Sequence, residues 1–191
     1  MEHSIFLDFL ASLQRLFVGY IPAAVLGIVI GSFIGINALV YKIFKWIIQI
    51  PHSITPIALL PLALIGFKEA EAAGIVIVFF SAIWSIILNT ATGMRLCRQQ
   101  NNNFKLAINH IFNALRIGGW VAWFTVIATE MLTSNKGLGF VIWNGYKSGN
   151  YNYTIEGIIY IAVIGFILDQ LLDITGHILS QLVSEGQKSN L

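Results

Sequence analysis

Charged residues are scarce in this sequence. Asp, Glu, Lys and Arg make up 10% of its 191 residues, whereas a typical soluble domain has about 25%. Hydrophobic residues account for 57%, and the mean hydropathy is +0.77. This composition excludes an ordinary soluble domain and predicts an integral membrane protein. The net charge is only +2, and no basic cluster is interleaved with aromatic residues, so nucleic-acid binding is not expected.

Cysteine and the common catalytic motifs are also missing or nearly so. Cys97 is the only cysteine, which excludes a disulfide framework and a cysteine-based metal site. The sequence has no P-loop for ATP, no HExxH zinc motif and no G-x-S-x-G nucleophile motif. We therefore expect no catalytic residues and no metal or cofactor bound by this chain. The first residues lack the basic region and cleavage site of a removable signal peptide.

Long apolar runs are what the sequence has in abundance. They predict an all-α, polytopic membrane bundle with one domain over residues 14–174. A short amphipathic lead-in at 1–13 and a polar tail at 175–191 flank this domain. The predicted spans are residues 14–38, 43–67, 73–91, 108–132 and 153–174, with a loop at 133–152.

Two of these spans carry unusual residues. Gly27, Gly31 and Gly35 recur every fourth residue and line one helical face, which favours close packing of another helix over a pore-lining role. The second span contains three prolines between residues 51 and 61. Because proline removes a backbone donor and kinks a helix, we predict that this span is broken.

Several polar side chains inside the spans are candidates for function. Glu130 is costly in a membrane, about 2.5–3.5 kcal/mol at mid-helix, and is expected to face Lys136, another partner or a water-filled path. We expect Arg116 to anchor the cytoplasmic interface. Asp169 and Asp173 are predicted at the same membrane edge, with a metal or proton site as the alternative. The candidates for the translocation path or its gate are Asn89, Thr90, Trp120, Trp123, Thr129 and Glu130.

Three blocks of the sequence together resemble one family. They are FFSAIWSIILNTATGM at 79–94, LRIGGWVAWFTVIATEML with GLGFVIWNGY between 115 and 146, and IIYIAVIGFILDQLLD at 158–173. They are similar to core helices of ABC importer permeases, in the nitrate and bicarbonate branch and its sulfonate and taurine relatives. The resemblance implies a type I ABC importer core and a small anionic substrate, most closely nitrate or bicarbonate. The partners it implies are a second permease copy, ATPase subunits that hold ATP and Mg²⁺, an extracytoplasmic solute-binding protein and the lipid bilayer.

The chain departs from that family between its third and fourth spans. The family's coupling helix carries Glu-Ala-Ala and a later glycine, whereas this connection reads RLCRQQNNNFK and is shorter by roughly 25 Å of helix. The residues left to contact an ATPase are Arg95, Arg98, Gln99, Gln100, Phe104 and Lys105. A permease-derived protein uncoupled from ATP, with a structural or regulatory role, is therefore the alternative function.

The distribution of basic residues predicts an orientation. Seven Lys or Arg residues lie on the side of the 93–105 connection and four on the other side. The positive-inside rule then places this connection in the cytoplasm and the N-terminus outside. The expected location is the bacterial inner membrane, with a plastid membrane as the alternative.

Overall fold

The computed structural model describes residues 5–100 and 104–188, which form helices joined by short turns and contain no strand. The elements, in chain order, are α1 (Ile5–Ile36), α2 (Ala38–Ser53), a 3₁₀ turn (Pro56–Leu59), α3 (Leu60–Phe67), α4 (Ala70–Gln99), α5 (Phe104–Thr133), α6 (Leu138–Lys147) and α7 (Tyr151–Lys188). The predicted all-α, polytopic fold is confirmed.

Four described helices are long and apolar enough to cross a membrane, namely Ile5–Ile36, Ala70–Gln99, Phe104–Thr133 and Tyr151–Val183. The predicted second span is divided between two shorter helices. The side chain of Asn37 caps the start of α2, and Pro56 starts the 3₁₀ turn that leads into α3. The chain thus returns along the bundle through a broken segment, because proline cannot supply the donors of a continuous helix.

The helix boundaries differ from the predicted ones in three other places. The lead-in is continuous with the first span from Ile5, and α7 extends through the predicted polar tail as far as Lys188. The predicted loop at 133–152 contains the ten-residue helix α6. Amphipathic and polar helical turns lack the uniform hydropathy on which span prediction depends. Residues 1–4, 101–103 and 189–191 of the predicted segments lie outside the described residues.

The α1–α4 contact forms the centre of the bundle, and its glycines allow close approach. A Cβ atom on Gly27 would lie 2.7 Å from the side chain of Ile86, and one on Gly31 would lie 2.7 Å from the carbonyl oxygen of Ile87. Gly35 meets α4 in the same way at Ala91. These contacts support the packing interpretation of the glycine face.

We expect Gly31→Ala to destabilise the chain by about 1–3 kcal/mol, because its methyl group would press on the α4 backbone. Gly66→Ala is the matched control, since no atom lies within 4 Å of a Cβ atom there. Thermal unfolding in detergent would measure both. Equal midpoints for the two variants would contradict close α1–α4 packing.

The bundle has two chemically different ends. Arg98 donates to the carbonyl oxygen of Ile36, which brings the end of α4 to the α1–α2 junction. The segments 36–45, 95–100 and 104–110 lie at this α4–α5 end and contain five Lys or Arg residues but no Asp or Glu. The opposite, α6 end collects the starts of α1, α4 and α7 and the end of α5. This asymmetry agrees with the predicted cytoplasmic position of the α4–α5 end.

Candidate functional site: two charged clusters within the bundle

The first cluster surrounds the start of α6 and consists of Asp8, Ser12, Arg15 and Glu130; we call it the cap cluster. Glu130 is 1% exposed, and its Oε1 accepts a hydrogen bond of 2.8 Å from Nη1 of Arg15. The hydroxyl oxygen of Ser12 lies 2.9 Å from both carboxylate oxygens. Glu130 is therefore fully paired inside the protein.

The cap cluster also satisfies the first backbone donors of α6. The N–H of Gly137 donates to Asp8 Oδ1 at 2.8 Å, and the N–H of Leu138 donates to Ser12 Oγ at 2.9 Å. The N–H of Gly139 donates to Oε2 of Glu130 at 3.0 Å. Carboxylates at a helix N-terminus satisfy unpaired N–H groups and favour the helix dipole. These hydrogen bonds hold α1 and α5 against the start of α6.

Arg15 completes this arrangement and corrects one expectation. Its Nη1 donates to the carbonyl oxygen of Lys136 at 3.0 Å, and its Nη2 lies 3.4 Å from Oε2 of Glu71. The partner of Glu130 is thus Arg15, whereas Lys136 contributes its backbone and keeps an exposed side chain. Glu130 thus has a buried partner, as expected, but that partner is Arg15 from another helix rather than Lys136, which is close in sequence.

A cavity of about 270 Å³ adjoins the cap cluster and is lined partly by Arg15, Glu71, Thr129 and Glu130. One guanidinium here faces the carboxylates of Glu71 and Glu130, and Asp8 lies in the same cluster. The local charge is negative, so the cavity would not attract an anion. The cap cluster therefore fastens helices rather than binding an anionic substrate.

The second cluster joins α5 to α7 and consists of Arg116, Asp169 and Asp173; we call it the Arg116 cluster. The Nε and Nη2 atoms of Arg116 donate to the two oxygens of Asp169 at 2.8 and 2.7 Å. Its Nη1 donates to Oδ1 of Asp173. The sequence predicts these three residues as separate edge residues, whereas the structure joins them in one ion-pair network.

The Arg116 cluster lies beside the central part of α1. The hydroxyl of Tyr20 donates to the carbonyl oxygen of Leu115, the residue before Arg116, at 2.7 Å. Gly118 packs on Ile86, the same α4 side chain that meets Gly27 in the apolar interior of α1. The cluster therefore lies beside the central turns of α1 and α4, and its position at the cytoplasmic membrane edge stays a prediction.

The predicted path residues are Asn89, Thr90, Trp120, Trp123, Thr129 and Glu130. Thr90 is buried beside the glycine face of α1, and Asn89 donates to a carbonyl of its own helix at 2.8 Å. Trp123 is 7% exposed and donates to a carbonyl of α7 at 3.3 Å. Trp120 is 69% exposed, on the same face as the Arg116 cluster. The structure therefore does not gather these six residues into one site.

The predicted ATPase-contact residues do cluster at the α4–α5 end. The guanidinium of Arg95 lies 4.9 Å from the centre of the Tyr41 ring, and Arg98 reaches the end of α1. Exposed positions complete this surface, namely Gln99, Gln100, Phe104 and Lys105. A cavity of about 480 Å³ lies between the α1–α2 junction and these arginines.

Sequence reasoning missed the α1 side of the cap cluster. Asp8, Ser12 and Arg15 follow one another at helical spacing, so they share one face of α1. That polar stripe at the start of an apolar helix was the available signal. It did not reveal which distant carboxylate or helix start it would meet.

Comparison with known proteins agrees with the structure. Residues 101–178 match the family described as the binding-protein-dependent transport system inner membrane component. The nitrate import permease protein NrtB of Leptolyngbya laminosa is 36% identical, over 98% of this chain and 72% of its own length. NrtB of Synechocystis is 36% identical over 85% of this chain and 65% of that protein. The bicarbonate transport system permease protein CmpB of Synechococcus elongatus is 31% identical over 90% and 68%.

The Leptolyngbya alignment extends over 204 positions, more than the 191 residues of this chain, so that relative has residues that this chain lacks. The relatives of this chain are transport subunits, which confirms that the chain is not an enzyme. The matched family and the four span-length helices place it in the inner membrane as a multi-pass protein. The chain belongs to the family of inner membrane components of binding-protein-dependent transport systems, the permease subunits of ABC importers.

Proposed function

We propose that this chain forms, with a second permease copy, the translocation path of an ATP-driven importer for nitrate or bicarbonate. The observation that supports this proposal is the sequence identity of 31–36%, over most of the chain, to permeases named for these two anions. Both anions are small, planar and singly charged. A solute-binding protein would deliver the anion at the α6 end, and ATPase subunits holding ATP and Mg²⁺ would act at the α4–α5 end.

Uptake measurements test the substrate. The chain would be expressed with its native ATPase and binding-protein partners in cells that lack nitrate and bicarbonate importers. We expect saturable uptake of isotopically labelled nitrate or bicarbonate that is competed by the unlabelled anion. Uptake of taurine or a sulfonate without uptake of either anion would overturn the proposed substrate.

Few residues between α4 and α5 are available to contact an ATPase in this chain. α4 ends at Gln99 and the described part of α5 begins at Phe104, which leaves too few residues for a separate coupling helix. The positive surface around Arg95 and Arg98 is the available contact, and it would favour an acidic groove on the ATPase.

We expect the double variant Arg95→Ala/Arg98→Ala to lower ATPase co-purification by about tenfold or more, the effect of about 1.4 kcal/mol of lost binding. Lys147→Ala is the matched control, because this exposed cation lies at the opposite end, over Trp143. Both variants would be checked for unchanged thermal midpoints. Recovery of the ATPase with the double variant at the wild-type level would contradict this contact. Failure of the wild-type chain to recover any ATPase would favour a permease-derived protein uncoupled from ATP.

A further inference from the structure

Helix α2 carries an apolar stripe on its outer side. The residues of this stripe recur every three or four positions, so they share one helical face, and they are 51–74% exposed: Leu39, Ile43, Trp46 and Ile50. Ile48 lies on the opposite side of α2 and is buried in the core of the bundle. Because the chain is a membrane protein, the apolar stripe is a surface that lipid acyl chains can cover.

Three cations lie beside the apolar stripe, namely Lys42, Lys45 and Arg95; we call them the cationic patch. The two lysines are exposed, and at 3.6 residues per turn Lys42 lies between the stripe and Lys45. Lys45 shares its face with Tyr41 and Ala38. The guanidinium of Arg95 lies 4.9 Å from the centre of the Tyr41 ring, and its Nη1 lies 3.5 Å from the carbonyl oxygen of Ala38. Arg95 of α4 is thus on the same side of α2 as the lysines.

No carboxylate of α1, α2 or α4 balances the cationic patch. The sequence has no Asp or Glu from residue 9 to 68 or from 72 to 129. Asp8 and Glu71 lie at the first turns of α1 and α4, at the α6 end of the bundle. On α7, Asp169 and Asp173 are paired with Arg116. The patch therefore has a positive field that favours an anionic partner.

A cavity of about 480 Å³ lies beside the cationic patch. It is lined by residues 35–38, Arg95, Arg98 and Gln99, at the ends of α1 and α4. These helices have 32 and 30 residues, whereas a bilayer crossing needs about 20, so their ends reach the headgroup region. Trp46 fits this level, because tryptophan is enriched at membrane–water interfaces. A polar headgroup can therefore enter the cavity while apolar groups remain on α2.

We propose that the cationic patch binds an anionic phospholipid, with its phosphate at Arg95 and the two lysines and an acyl chain along the apolar stripe. Such a site goes beyond the proposed function and needs neither an ATPase nor a transported anion. Guanidinium and ammonium groups are the usual protein partners of phosphate, and basic pockets between membrane helices bind anionic headgroups. A zwitterionic phospholipid also carries a cation, which the patch repels, so the site selects for net negative charge.

The same features disfavour other occupants of this face. A symmetric contact between two copies of the chain through α2 would place the cationic patch against itself, and like charges across an interface are unfavourable. An ATPase subunit would meet the ends of α4 and α5, whereas the apolar stripe continues along α2 for about 17 Å, at 1.5 Å per residue. A free phosphate ion would leave the stripe uncovered. A phospholipid matches both the charge and the apolar surface.

The first test measures lipid retention by the isolated chain. The chain would be purified in detergent and given equal amounts of phosphatidylglycerol and phosphatidylcholine with identical acyl chains, and retained lipid would be counted by native mass spectrometry. We expect the wild type to prefer phosphatidylglycerol by about fivefold or more, the effect of about one basic residue at a membrane surface. Lys42→Gln/Lys45→Gln should lower that preference by about fivefold or more. Lys68→Gln/Lys147→Gln is the matched control, because both lysines are exposed at the α6 end, and it should keep the wild-type preference.

Equal retention of the two lipids by the wild-type chain would overturn the proposal. Equal losses in the two double variants, at unchanged thermal midpoints, would also overturn it, since they would reflect net charge alone. Retention that excess inorganic phosphate abolishes would show a site for free phosphate instead. These measurements contain no ATPase and no transported anion, so their failure leaves the proposed function standing. Failure of the uptake measurement, in turn, leaves the lipid site standing.

The second test locates the bound acyl chain. The fluorescence of Trp46 would be obtained as the difference between the wild type and Trp46→Phe, in bilayers that contain a small fraction of lipid with brominated acyl chains. We expect brominated phosphatidylglycerol to quench Trp46 about fivefold more than brominated phosphatidylcholine at low mole fraction, where occupancy follows affinity. Trp120, which is 69% exposed on α5, is the matched control and should be quenched equally by both lipids. Equal quenching of Trp46 by the two lipids would contradict an anionic lipid site on α2.

Discussion

Replacing Arg15 by methionine is expected to destabilise the folded chain by about 3–5 kcal/mol, because it leaves the buried carboxylate of Glu130 without its cationic partner. Arg15 and Glu130 are both almost fully buried, and Nη1 of Arg15 also donates to the carbonyl oxygen of Lys136. The variant therefore loses an ion pair and one of the two hydrogen bonds to the carbonyl oxygen of Lys136, which keeps its bond from the hydroxyl of Ser134. Thermal unfolding in detergent and the monodisperse yield would measure the loss.

The double variant Arg15→Met/Glu130→Gln distinguishes loss of the ion pair from loss of side-chain packing as the cause of the instability. Glutamine keeps an oxygen that can accept from the N–H of Gly139 but carries no charge. We expect the double variant to recover at least half of the stability lost in Arg15→Met, since removing both members of a buried pair is often close to neutral. A double variant as unstable as the single one would contradict a charge-pair origin of the effect.

Gly137→Ala is expected to cost about 2–5 kcal/mol. Gly137 has φ +110° and ψ 166°, a backbone conformation that is open almost only to glycine. A Cβ atom at this position would also overlap the carboxylate of Glu130. The substitution would therefore strain the start of α6 and displace the group that holds it.

Gly149→Ala is the control for backbone conformation alone. Gly149 has φ +72°, and no atom lies within 4 Å of a Cβ atom there. We expect this variant to cost about 1 kcal/mol, the usual penalty for a left-handed alanine. Equal losses in Gly137→Ala and Gly149→Ala would show that contact with Glu130 contributes nothing to the start of α6.

The fold was predictable from the sequence because membrane spans follow from the length of apolar runs. The glycines at 27, 31 and 35 also predicted a packing face, which the contact with α4 supports. The prolines predicted the break in the second span, now located between Ser53 and Pro56. Helix α6 escaped prediction because it is short, amphipathic and preceded by glycine, a pattern that is shared with loops.

The charged clusters were only partly predictable. Glu130 drew attention because a carboxylate in a span needs a partner, but its partner Arg15 lies 115 residues earlier in the chain. Periodicity assigns residues to a helical face and does not tell which helices meet. Arg116, Asp169 and Asp173 were assigned one by one to an interface for the same reason, and only the α5–α7 contact shows that they form a network.

Transport by the purified complex would show directly whether this chain is part of an ATP-driven anion importer. The chain would be purified with its ATPase and binding-protein partners and reconstituted into liposomes that expose the ATPase to added ATP. We expect accumulation of labelled nitrate or bicarbonate that requires hydrolysable ATP and the binding protein. Equal entry of the anion with ATP and with a non-hydrolysable analogue would contradict an ATP-driven importer.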